Sequence, residues 1–283
     1  MKDNFSTYHP IVNFIYFLTV ICLGMFFMHP GLLCISAVFA FCYSVRLGGR
    51  KQVRFNLALL PAALVAAAVN LLFVHKGMTT LFYIGANPVI LESILYGLTA
   101  GIMVIGIAMW CSCLSKVMTS DKIVYLFGRV LPSVSLIFSM SLRMVGLFTD
   151  QAKRIAEGQR ALGRNPETLT EKIAFGLRVL SILVTWALEN AIDTADSMKA
   201  RGYGLPGRTA YNIFKFEKKD CLMLAEIAML LAVIALGIAK GQLTMQFYPY
   251  TSISEPGWCT VTTFGAYVLL TALPLLTKGK EGN

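Results

Sequence analysis

The 283-residue chain is 56% apolar and only 14% charged, with a mean hydropathy of +0.65. A soluble domain usually carries about 25% charged residues, so composition excludes an ordinary soluble globule and argues for a polytopic membrane protein. The net charge of +10 would suggest nucleic acid in a soluble chain, but a membrane protein concentrates basic excess in its cytoplasmic loops.

Crossing the hydrocarbon takes about 20 apolar residues as helix. The first apolar run, residues 11–28, is too long for a signal-peptide core and is followed at once by another, so it reads as a span. The predicted spans are 11–28, 31–47, 55–74, 93–114, 221–239 and 258–277. Pro61 and Pro274 fall inside spans, where neighbouring helices take up the freed carbonyls. Glu92 begins the fourth span, and its charge suits a helix N-terminus. The Met- and Ala-rich faces of the second and third spans read as packing surfaces.

Two further apolar stretches, 122–148 and 172–192, are interrupted by charge: Arg129 and Arg143 in the first, Arg178 and Glu189 in the second. A mid-membrane arginine is costly unless it is paired or snorkels. Charge placement favours leaving both stretches at the inner face. With both termini inside and residues 115–220 cytoplasmic, twenty-three of the 25 Lys and Arg fall on the inner side. They are Lys2, the quartet Arg46, Arg50, Lys51 and Arg54, sixteen from Lys116 to Lys219, and Lys278 with Lys280; Lys76 and Lys240 fall outside. That satisfies the positive-inside rule, and the short loop at 46–54 does so alone. The expected fold is all-α, with about six transmembrane helices and a cytoplasmic helical bundle. Its segments are spans at 1–114, a cytoplasmic helical region at 115–220 and spans at 221–283. An eight-span arrangement remains the alternative.

Within the basic centre, "QRALG" (159–163) and "MKARG" (198–202) repeat one pattern: cation, alanine, a variable residue, glycine. Arg160-Ala161-Leu162-Gly163 and Lys199-Ala200-Arg201-Gly202 each close a helix-compatible run, and proline follows within four residues (Pro166, Pro206). This is a helix stop signal with a cation in the last turn. A single copy is ordinary capping, since a cation near a helix C-terminus is favourable by about 0.3–1 kcal/mol. Two copies in the most basic segment of a membrane protein point to a pair of blunt tips that dock on a partner.

The segments "AEGQRALG" and "ADSMKARGYG" resemble the two Ala-Arg-Gly signatures of the energy-coupling factor transporter T component family, which includes cobalt-type relatives. The resemblance is detailed from about Pro132 to Pro206 and covers the flanking spans only in layout. It implies a scaffold in the cell membrane that docks two ATP-binding subunits and a small substrate-binding membrane S component for vitamin or metal-ion uptake. Ala200, Arg201 and Gly202 would form one contact, supported by Tyr203 and Gly204, and Ala161 with Gly163 the other. The first copy has Leu162 where the family repeats arginine, so either Arg160 or Arg164 would supply the charge there or that contact would be mainly apolar. Arg143, in "SLRMVG", matches the family's arginine before the first coupling helix.

No G-x-x-x-x-G-K-[ST] occurs, so the chain holds no P-loop and any ATP-driven work must come from partners. Neither a cofactor motif nor a metal-ligand cluster appears: Cys111 and Cys113 form a lone C-x-C, and His9, His29 and His75 are scattered and read as inert. Lipid is the expected surrounding partner and nucleic acid is not expected. Glu226 falls inside a span, where a carboxylate suggests an ion relay or a reach toward Lys218 or Lys219. Glu189, Asp193 and Asp196 share one helix face, to meet arginines or to stand solvated. The rival functions are a secondary transporter or channel using Glu226 and Arg143 in a polar path, and a membrane enzyme. An enzyme would need converging acids or histidines, which the sequence does not offer.

Overall fold

Proline starts two of the first helices. Pro10 and Pro30 open α1 (Pro10–Phe26) and α2 (Pro30–Ala58), each after a histidine N-cap, at the helix position where a missing N–H costs nothing. The computed structural model describes residues 4–73, 80–84, 87–128, 132–205, 214–241 and 257–277. Lys2, His75, Lys76, Arg129, Pro206, Arg208, Lys278 and Lys280, all weighed above, lie outside them. A 3₁₀ turn at Phe5–Thr7 precedes α1. After α2 come α3 (Leu60–Phe73), a short antiparallel hairpin of β1 (Thr80–Ile84) and β2 (Asn87–Ile90), then α4 (Leu91–Val117) and α5 (Ser120–Gly128). α6 (Pro132–Ala161), α7 (Leu169–Ala200), α8 (Lys218–Ala239) and α9 (Trp258–Leu276) complete the order. The protein is an all-α polytopic membrane protein, and it divides into a first unit of Met1–Ile123 with Phe214–Asn283 and a second of Val124–Ile213.

The short connection expected at 46–54 is where the chain reverses between two helices. Residues 30–69 are a 40-residue helical stretch broken at Gly49 into two limbs, about 60 Å of helix in all against a hydrocarbon core of about 30 Å. It changes direction at Gly49 (φ 56°, ψ −144°), a left-handed conformation that glycine adopts without a Cβ clash. Contacts with α4 show that the stretch reverses there. Gly106 faces Ala37 and Trp110 packs near Tyr43, so the first limb runs parallel to α4. Gln52 bonds to Ser112 (2.6 Å) and Lys116, and Gly101 faces Ala63, so the second limb runs antiparallel. The two expected spans at 31–47 and 55–74 therefore stand as two antiparallel helical limbs joined at Gly49.

In the first unit α4 packs against α1 and both limbs of α2–α3, while α9 packs against α2 and α8 against α9 and α1. Without water-driven association between helices, close packing and interhelical hydrogen bonds hold such a bundle. The buried Trp110 packs against Tyr16, Phe17 and Tyr43 (centroids 6.1, 6.1 and 6.4 Å) and donates its indole N–H to Ser36 (2.9 Å). Tyr16 donates its hydroxyl to the Leu270 carbonyl (3.1 Å), tying α1 to α9. The outer surface is apolar, with Phe26, Leu64, Leu222 and Leu236 all more than 60% exposed.

One end of this unit collects charge. Arg46 at the reversal donates to the Leu275 carbonyl (3.1 Å) at the end of α9, and Lys116 at the end of α4 reaches Gln52. The starts of α1 and α8 meet at the same end, where the His9 N–H bonds to Asp220 (2.9 Å). His9 is therefore not idle: it is buried, and its Nδ1 accepts from the Ile11 N–H to cap α1. His29 packs edge-on against Phe264 at 5.1 Å, and burial lowers its pKa, favouring the neutral ring.

Among the described residues, five segments are long and apolar enough to cross a membrane: 30–69, α4, α7, α8 and α9; α1, with 17 residues, is shorter. α7 thus shares the length and composition of a span, although sequence charge placed it outside the membrane.

The close approach at Gly101 gives a test of this packing. A Cβ there would stand 3.0 Å from the Ala63 carbonyl oxygen, whereas a Cβ at Gly265 meets nothing within 4 Å. Gly101→Val is expected to destabilise the bundle by roughly 1–3 kcal/mol, and Gly265→Val to do far less, as read by thermal unfolding in detergent.

Candidate functional site

The second unit is built on a helical hairpin of α6 and α7. Each helix has a stripe of half-buried positions at three- and four-residue steps: Met140, Met144, Phe148, Ile155 and Gln159 on α6, and Phe175, Val179, Leu183, Trp186 and Asn190 on α7. The stripes meet antiparallel. Phe148 packs edge-on against Trp186 (6.0 Å), Asn190 donates to the Met144 sulfur (3.7 Å), and the Arg160 guanidinium lies over the Phe175 ring (6.0 Å). α7 starts firmly: the Thr168 hydroxyl accepts from the Glu171 N–H, and the Glu171 carboxylate accepts from Thr168 and Glu167. This is a capping box.

The two sequence repeats prove to be one backbone structure made twice. At the first, Gly163 takes φ +79°, its N–H donates to the Arg160 carbonyl (2.9 Å), and the Arg164 N–H donates to Gln159 (3.3 Å). At the second, Gly202 takes φ +81°, its N–H donates to Lys199 (2.9 Å), and the Tyr203 N–H donates to Met198 (3.0 Å). Both are complete Schellman closures, which satisfy the orphan carbonyls of the last turn. The register matches residue for residue: Arg160 with Lys199, Ala161 with Ala200, Leu162 with Arg201, Gly163 with Gly202. Gly204 (φ +97°) adds a further turn after the second tip alone.

The chemistry on this shared frame differs. Leu162 is 70% exposed, so the first tip presents an aliphatic side chain where the second presents the exposed Arg201. Arg160 leans over Phe175, and Arg164 donates to Gln159 (2.6 Å), so both cations of the first tip are held against its base. Arg160, Lys172, Phe175, Asn165 and Pro166 line an open cleft of about 490 Å³ beside that tip. Lys199 stands 3.9 Å from Asp196, and with both side chains over 70% exposed the pair contributes little. Tyr203 is 46% exposed beside Arg201. Because α6 and α7 run antiparallel, the two tips sit at opposite ends of the hairpin. The 32 residues of α7 set them about 48 Å apart.

Other sequence candidates lie elsewhere. Glu189 and Asp193 are exposed and meet no cation within 4 Å among the described residues, while Asp196 pairs only with Lys199. Arg143 is exposed on α6. Glu226 is exposed on α8, and Lys219 pairs with Glu217 (3.0 Å) instead of reaching it. Phe175, which carries Arg160, and the second stripe of α7 went unrecognised in the sequence. That stripe exposes Leu169, Ile173, Leu177, Leu180, Val184 and Leu188. Their three- and four-residue spacing was visible, but it interleaves with the packed stripe and reads as one apolar run.

The fold and the paired tips thus define a polytopic membrane protein carrying a basic, two-ended helical hairpin. The chain is similar to the energy-coupling factor transporter transmembrane protein EcfT of Lactobacillus helveticus, 30% identical over 112 residues, or 38% of this chain and 40% of that protein. It is likewise similar to EcfT of Lactococcus lactis subsp. cremoris, 30% identical over 106 residues (36% and 40%), and of Listeria innocua, 28% identical over 120 residues (41% and 44%). The chain spans about two fifths of the length of these curated relatives. No protein-family model matches it.

The tips make a direct prediction. An L-residue in the left-handed region costs roughly 1–2 kcal/mol, so Gly163→Ala and Gly202→Ala should each loosen their own closure. Hydrogen exchange at the Arg164 and Tyr203 amides, respectively, should rise about tenfold, with the other tip unchanged.

Proposed function

We propose that the chain is the transmembrane T component of an energy-coupling factor importer, a non-catalytic scaffold joining two ATP-binding subunits to a small substrate-binding membrane subunit. The likeness to three EcfT proteins supports the class. The observation that carries the docking role is the repeated closure: two tips of identical backbone held about 48 Å apart by α7. One small partner cannot seat on both, but two separate subunits can.

In this reading the hairpin lies at the cytoplasmic face of the cell membrane, with both termini inside, and residues 115–220 couple the flanking spans at 1–114 and 221–283. The exposed apolar stripe of α7 faces the substrate-binding subunit and lipid, and the charged faces meet water. Ala161, Leu162 and Gly163 seat in one ATP-binding subunit, and Ala200, Arg201 and Gly202 in the other. Arg160 and Lys199 stand behind each tip, Tyr203 and Gly204 shape the second, and Arg143 supports the hairpin. ATP binding and hydrolysis move the tips, and the stiff helices pass that motion to the substrate-binding subunit, which takes up a vitamin or a metal ion.

Capture of the full chain from its own membranes should bring down ATP-binding proteins, and Arg201→Glu should abolish that capture. Arg201→Ala should weaken it about tenfold, the loss expected of one charge-assisted contact of about 1.4 kcal/mol, and Leu162→Ala by less. Equal and negligible effects of both alanine substitutions would sink the docking assignment.

A further inference from the structure

We propose that Lys122 and Asp220 are positioning residues that fasten both chain crossings into the second unit to one buried clasp, the N-terminal segment Phe5–Asn13. The inference rests on the scaffold function proposed above and adds the point at which force from the tips enters the membrane bundle.

The second unit is an insertion: the chain leaves the first unit after Ile123 and returns at Phe214. A charged residue is buried beside each crossing. Lys122, 7% exposed, donates from Nζ to the carbonyls of Ser6 (2.6 Å) and Val117 (3.0 Å). With the Asn13 amide assigned so that both of its atoms find complementary partners, its oxygen accepts from Nζ at 3.2 Å and its nitrogen donates to the Phe5 carbonyl (3.0 Å). Asp220, 2% exposed, accepts at Oδ1 from the His9 N–H and at Oδ2 from the Glu217 N–H, each at 2.9 Å. The His9 ring packs edge-on against Phe216 (5.2 Å) on the same returning segment.

Lys122 therefore grips Ser6 and Asn13, and Asp220 grips His9 between them. The gripped segment is itself fixed. Phe5 is fully buried, with Tyr16 at 4.9 Å, Phe17 at 6.0 Å and Tyr43 at 6.3 Å around it. Apolar contacts can slide, but a buried charge that lets go leaves itself and its partners unsatisfied. Each fastening is therefore held or broken, with no intermediate slip, as a fixed pivot requires.

The test uses the full chain captured with its ATP-binding subunits. Native cysteines are replaced by serine, and spin labels are placed at Leu162→Cys on the first tip and Phe26→Cys at the far end of α1. Mg-ATP with vanadate should shift the label separation measured by pulsed electron paramagnetic resonance. Lys122→Met and Asp220→Asn should lose that shift while keeping the captured subunits and their ATP hydrolysis, and Lys122→Arg should restore it. An unchanged shift in both variants overturns the clasp. If the two variants fail to assemble, Phe5→Leu, which loosens the plug without touching a charge, decides by the same readout. A reduced shift supports the clasp and an unchanged one overturns it. If the unaltered chain captures no ATP-binding protein, the scaffold reading fails and the clasp falls with it; retained capture with an unaltered shift removes the clasp alone.

Discussion

An α-helix leaves its last carbonyls without partners inside the helix, and in an apolar chain that debt is met by the backbone itself. At the ends of α6 and α7 a glycine in the left-handed region turns the following N–H groups back onto those carbonyls. The turn at Gly163 also reverses the chain, which lets α7 return along α6 and brings Phe148 to Trp186 and Asn190 to Met144. Without that reversal neither the groove of the hairpin nor the separation of its two ends would exist. A second glycine, Gly49, performs a comparable reversal in the first unit and sets two helical limbs against α4.

The two units solve different solvation problems. The first hides its polar groups among helices and shows an apolar exterior, so its few buried charges sit where backbone carbonyls and amides can complete them. Lys122 and Asp220 follow this rule at the charged end of the bundle. In the second unit no α7 residue is fully buried, and half-buried stripes, an apolar face and charged faces lie side by side on two helices. Such a surface is incomplete without neighbours, whereas the first unit has a core of its own.

Much of this was legible in the sequence, for reasons that are local. Glycine after a cation and an alanine marks a helix stop wherever it occurs, so both tips could be placed to the residue. Apolar runs bounded by charge located α1, α4, α8 and α9. The reversal at Gly49 falls inside the loop expected at 46–54, because Arg46, Arg50, Lys51 and Arg54 break the apolar pattern where the two limbs meet. Long-range partners were invisible: His9 meets Asp220 across 211 positions, and nothing in "EKKDC" or in a lone histidine announces the other. Arg160 was recognised as the cation of the first tip, but its seat on Phe175 depends on how two helices pack, which no single helix encodes.

Equal frames with unequal faces carry a consequence for assembly. Leu162 and Arg201 occupy the same place on superimposable turns, yet one is greasy and the other cationic. The hairpin therefore has a polarity, and a rotationally symmetric pair of identical sockets would fit one end well and the other badly. On the docking reading proposed above, a matched receptor would be built from two dissimilar halves or would bend one of its halves to meet Leu162 at one extremity and Arg201 at the other.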